Sequence, residues 1–124
     1  MSTKTYSYLV ILYFLTIILV SSIPGKSIPS SYIFSYDKLL HIIEYFLLGF
    51  LLFNSLISKT QFPGLLCLFL GAVFAVMDEI YQSTVFGRFP SSFDVIANLV
   101  GLTLSILYFK LITRISINVK KSFD

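Results

Sequence analysis

The chain has 124 residues, 56% of them hydrophobic and 12% charged, with a mean hydropathy of +0.89. Soluble domains carry about a quarter charged residues, so these figures exclude an ordinary water-soluble enzyme, a disordered segment, collagen and a coiled coil. Nine Lys and Arg against six Asp and Glu leave a net charge of +3, too small and too scattered for a nucleic-acid surface.

Apolar runs of about 20 residues cross a bilayer core roughly 30 Å thick, and the chain holds four of them as one domain, residues 1–124. The first predicted helix covers about residues 6–23, which carry no charge between Lys4 and Lys26. Lys4 ahead of this run and Ser21-Ser22 behind it also fit a cleaved signal peptide, although the run is long for one and its removal would leave an odd number of spans. Residues 21–36 are rich in Ser, with Pro24-Gly25 and Pro29 breaking any helix, and are expected to form a loop. The second, third and fourth helices are predicted at about residues 38–57, 63–82 and 93–112. Pro63 suits a first helical turn, where its missing N–H costs nothing. Ser91 or Ser92 suits the cap of the last helix, and the helix dipole favours Asp94 in its first turn. Cys67 is the only cysteine and lies inside an apolar run, which excludes an intrachain disulfide and a Cys-based metal site.

Four spans put both termini and the Lys59 loop on one side. That side collects Lys4, Lys59, Lys110, Arg114, Lys120 and Lys121 against Asp124. The other side holds Lys26, Lys38 and Arg88 against Asp37, Glu44, Asp78, Glu79 and Asp94. By the positive-inside rule both termini are cytoplasmic, and the acids gather at the outer face.

Helical periodicity groups these acids further. Asp37, His41, Glu44 and Leu48 share one stripe of the second helix, with Lys38 and Tyr45 on a neighbouring face. Gly71, Ala75, Asp78 and Gln82 form a stripe on the third helix, and Asp94, Asn98, Gly101 and Ser105 form one on the fourth. Glu44 lies roughly 10 Å deeper than Asp37 along the axis. A lone carboxylate at mid-bilayer costs on the order of 2.5 to 3.5 kcal/mol, so it must face a partner or a wet cavity. Turning the stripes together predicts an outward-opening pocket containing His41, Glu44, Asp78, Glu79, Asp94 and Asn98.

Three readings of that pocket stand open. One is an interhelical network in which Lys38 and Arg88 neutralise acids while Asn98 and Gln82 bridge helices. A second is a divalent cation held by His41 with Glu44, Asp78 or Asp94, a donor set that suits several metals but matches no specific motif. The third is acid/base chemistry by His41 beside a carboxylate. Arg88, at the pocket mouth, is either a counter-ion for the acids or a clamp for an external phosphate or carboxylate. Asp37 and Asp94, taken singly, read first as helix N-terminal residues. Tyr6, Tyr8, Tyr108 and Phe109 read as interface anchors.

The ordered strings Ser22-Ile23-Pro24-Gly25, Asp37-Lys38 with His41 and Glu44-Tyr45, Asp78-Glu79 with Gln82, Gly87-Arg88, and Asp94 with Asn98 and Gly101 resemble the VanZ-like family of bacterial membrane proteins. Phe86 departs from the family, which often has Pro before Gly-Arg, and Ser105 stands where a second Gly is common. The resemblance implies a multi-pass protein of the bacterial cytoplasmic membrane, in a family whose founding member is associated with reduced susceptibility to teicoplanin. It also implies a polar set of Lys38, His41, Tyr45, Asp78, Glu79, Gln82, Arg88, Asp94 and Asn98, positions that overlap those the periodicity selects. It assigns no chemistry to them. The functions expected are an effect on the cell surface at the outer leaflet, or a membrane enzyme, metal-dependent or not, acting on a lipid headgroup or cell-wall lipid intermediate, or a structural or assembly partner in the bilayer.

The orientation is testable with a membrane-impermeant maleimide on a Cys67→Ser background. Arg88→Cys is expected to label in intact cells and Lys59→Cys only after permeabilisation; labelling of position 88 from the cytoplasm alone would reverse the assignment.

Overall fold

The structure is a computed structural model that describes residues 1–25 and 36–123, the last ten as backbone alone. Lys26, Asp124 and most of the loop expected at 21–36 lie outside the described residues. Four helices follow one another: α1 Thr3–Ser21, α2 Asp37–Leu56, α3 Pro63–Gln82 and α4 Ser92–Phe123. All four are long and apolar enough to cross a membrane, α4 over Ser92–Thr113, and among the described residues there is no strand.

Each boundary has a local cause. Helix α1 begins three residues before the expected Tyr6, because Ser2 caps it by accepting from the Thr5 amide at 3.2 Å. It stops at Ser21 because Pro24 disfavours helical backbone just ahead of it. Pro63 opens α3 in the first turn as expected. Helix α4 runs past the expected residue 112 to Phe123, since residues 113–123 contain neither Gly nor Pro to break it.

Helix α2 packs against all three others, α3 also touches α1 and α4, and among the described residues α1 and α4 do not meet. The centre is filled by Tyr45, Leu48, Cys67, Ala75 and Leu102, all at 0% exposure. Aromatic pairs brace the outside of this core: Phe14 stacks on Phe74 and Phe53 on Phe109, each with centroids 4.4 Å apart. Leu15, Leu19, Phe69 and Ile80 point outward, the arrangement a bilayer solvent favours, since backbone polar groups are already paired within each helix.

Close approach of α2 and α4 depends on Gly101. A Cβ there would fall on the Ile42 carbonyl oxygen and 2.8 Å from the Phe46 nitrogen, so only a residue without one lets the two backbones meet. Gly101→Leu is expected to cost about 1 to 3 kcal/mol or more by overpacking, read as a lower melting temperature and lower yield of monodisperse protein in detergent. An unchanged melting temperature would contradict the packing described.

Candidate functional site

The polar ends of α1, α2 and α3 and the start of α4 enclose a chamber of about 450 Å³. Its wall includes Ser21 from α1, Asp37, His41 and Glu44 from α2, Gln82 from α3, Asp94 from α4, and Arg88 from the loop between α3 and α4. Val20, Ile23, Leu40 and Phe89 complete it with apolar surface.

At one side of the chamber stands a cluster of four residues. The Lys38 ammonium donates to Asp37 Oδ2 at 3.0 Å and to Asp94 Oδ1. His41 Nε2 faces the second oxygens of the same carboxylates, 3.8 Å from Asp37 Oδ1 and 3.9 Å from Asp94 Oδ2. Its other nitrogen, Nδ1, donates to Asn98 Oδ1 at 3.0 Å. A ring anchored in this way presents Nε2 to the carboxylates in one orientation, as positioned histidines do. Two carboxylates thus share one ammonium and one imidazole. Asp37, His41 and Asp94 each offer an atom within 4.8 Å of the others, a donor set a metal ion can use.

A closed hydrogen-bond triangle joins two wall residues, Ser21 and Gln82, to Asp78 behind them. Asp78, at 0% exposure, accepts from Ser21 Oγ at 2.7 Å and from Gln82 Nε2 at 3.1 Å. Gln82 Nε2 also donates to Ser21 Oγ at 3.1 Å. One residue further along α3, Glu79 Oε1 accepts from the Ser91 amide and holds the start of α4. Among the described residues, three buried side-chain atoms lack a hydrogen-bond partner: Glu79 Oε2, Tyr45 Oη and Asn98 Nδ2.

The mouth is built by two loops that meet. The Gly25 amide donates to the Phe86 carbonyl at 3.2 Å. Gly87 turns with φ 77°, the left-handed region that side chains disfavour, and Arg88 N closes the turn on the Val85 carbonyl at 3.1 Å. The Arg88 guanidinium is held through Nε on the Ile23 carbonyl at 3.1 Å. Among the described residues no carboxylate forms an ion pair with it, though Glu44 and Asp78 lie within its electrostatic reach.

The ten candidate residues therefore divide into three groups. His41, Glu44, Gln82, Arg88 and Asp94 line the chamber, and Lys38 bridges two carboxylates at its edge. Asp78, Glu79, Asn98 and Tyr45 sit behind it in the helix interfaces. Of the metal candidates, His41 and Asp94 come together with Asp37, while Asp78 is committed to Ser21 and Gln82, and Glu44 stands apart and half-buried. Tyr45, expected on a neighbouring face, is fully buried. Ser21 was no candidate, because the first helix carries no polar stripe to point at it; only its contact across the bundle gives it a role.

A family model described as VanZ/LLP1 matches residues 2–113, which takes in all four membrane-spanning stretches. No curated protein and no solved structure matches the chain.

Proposed function

Because this chain belongs to the VanZ/LLP1 family of multi-pass membrane proteins, we propose that it acts at the outer face of the bacterial cytoplasmic membrane. There it takes the headgroup of a lipid or lipid-linked cell-wall precursor into the chamber and so lowers susceptibility to teicoplanin-type glycopeptides. The observation that carries this reading is the division of one chamber of about 450 Å³ into two chemical poles. A volume in the few-hundred Å³ range suits a small polar ligand. Arg88, fixed by a backbone carbonyl and free of a carboxylate ion pair among the described residues, is the anion-binding pole for a phosphate or carboxylate. Asp37, His41 and Asp94 form the opposite pole, where two carboxylates and an imidazole favour an amine or a metal ion. Val20, Leu40 and Phe89 give the lipid portion an apolar path to the mouth.

Expression in a glycopeptide-sensitive host tests this. The wild type is expected to raise the inhibitory concentration several-fold over empty vector, and Glu44→Ala and Arg88→Ala to remove the increase while membrane levels by immunoblot stay the same. Equal susceptibility of wild type, variants and vector would overturn the resistance reading; variants that lose both protein and effect would favour a structural or assembly role.

One observation supports a second, enzymatic reading: the convergence of Asp37, His41 and Asp94 on atoms within 4.8 Å of each other. A divalent ion held there would act as a Lewis acid on a headgroup phosphate, displacing the Lys38 ammonium from the carboxylates. Elemental analysis of protein purified in detergent and equilibrated with zinc or manganese is expected to show about one ion per chain, lost in His41→Ala and retained in Lys38→Gln. No bound ion in either wild type or Lys38→Gln would remove this reading.

A further inference from the structure

A second cleft, of about 510 Å³, opens at the other end of the bundle between α3 and α4. Phe62, Leu65, Leu68, Ile106 and Leu107 line it, and Lys110 stands at its rim. Phe62 and Leu65 are 67% and 69% exposed, so the cleft is open to the membrane rather than sealed in the core. Lys110 follows Asp94 by sixteen residues on α4, which places it roughly 24 Å away along the axis, near the opposite interface from the chamber. The end is a shared one: Lys59, just past α2, donates through Nζ to Ser7 Oγ near the start of α1 at 2.8 Å, and Lys4 lies one turn from Ser7. Among the described residues this end carries Lys4, Lys59 and Lys110 and no acid, and no acceptor or carboxylate sits on the Lys110 ammonium. Helix α4 then continues to Phe123 through Arg114, Lys120 and Lys121 in sequence.

We infer that this cleft seats one anionic phospholipid of the surrounding leaflet, with an acyl chain against Leu65, Leu68, Ile106 and Leu107 and its phosphate on Lys110. The proposal stands apart from the chamber and its ligand. Depth and charge select the occupant. A cation at the rim of an apolar groove, at the level where headgroups begin, matches a lipid that joins a phosphate to hydrocarbon, and basic residues at a membrane surface attract anionic lipid. A second copy of this chain packed by the same face would set Lys110 against another cationic end with no acid among the described residues to receive it.

The test uses purified full-length protein and native mass spectrometry with phosphatidylglycerol and phosphatidylcholine of identical chains. One phosphatidylglycerol per chain is expected to bind in preference to phosphatidylcholine. Lys110→Gln, at an exposed position, is expected to weaken it about fivefold, the scale of one basic residue at an anionic surface. Lys4→Gln, at the same end but outside the cleft, is expected to leave binding unchanged, and Leu107→Trp, which fills the groove, to reduce it while keeping Lys110. Equal binding of the two lipids, a Lys110→Gln protein that binds like wild type, a Lys4→Gln loss equal to that of Lys110→Gln, full binding by Leu107→Trp, or a dimer in place of a lipid adduct would each overturn the inference.

Discussion

The bundle depends on one requirement: a carboxylate inside an apolar, membrane-spanning assembly has to be bonded, because leaving a buried polar group unsatisfied costs about 1 to 3 kcal/mol and more for a charged one. Asp78 meets it with two donors, one from its own helix and one from α1. Gln82 lies one turn away and is always within reach, so it carries little information about the fold. Ser21 is 57 residues distant and can answer Asp78 only if α1 lies against α3 at this depth. This hydrogen-bonded carboxylate thereby helps set the register of the first helix, together with the hydroxyl pair of Ser22 and Tyr81 at 2.8 Å and the Tyr13 hydroxyl on the Glu44 carbonyl at 3.3 Å.

The same logic explains why α2 occupies the centre. Its buried face joins His41 and Tyr45 to Leu48 and Leu52, so the polar end has to find partners on its neighbours while the rest packs as an ordinary apolar surface. Asn98 and Asp94 on α4 answer His41 and Lys38. Gly101, one turn below Asn98, then lets the two backbones approach. Polar pairing and close packing thus act on consecutive turns of one interface. Hydrophobic burial drives helix association weakly within lipid, where the solvent is as apolar as the side chains, and specific contacts of this kind have to supply the selectivity.

The two ends of the molecule are chemically opposed. Acids, His41 and a backbone-anchored Arg88 gather around a chamber at one end, whereas the described residues of the other carry only cations beside an apolar cleft. The chamber is neither wholly acidic nor neutralised. Lys38 is paired with Asp37 and Asp94, while Arg88 is held only through Nε on a carbonyl, so cationic and acidic side chains coexist around one small volume. The Phe86 carbonyl takes part in this arrangement by receiving the Gly25 amide.

The sequence alone determined four spans, their approximate limits and the polar stripes, because helix-forming apolar runs and a 3.6-residue repeat are local properties that no partner is needed to read. It also singled out His41, Asp94 and Arg88 by residue type and place. What it left open was which polar groups answer one another. Whether Asp37 is a helix N-terminal residue or part of a cluster, whether Arg88 meets a carboxylate or a carbonyl, and whether Ser21 matters at all depend on contacts between residues dozens of positions apart. Those are decided by how the helices rotate and settle against each other, and only the tertiary structure could separate the chamber wall of His41, Glu44, Gln82, Arg88 and Asp94 from the supporting interfaces of Tyr45, Asp78, Glu79 and Asn98.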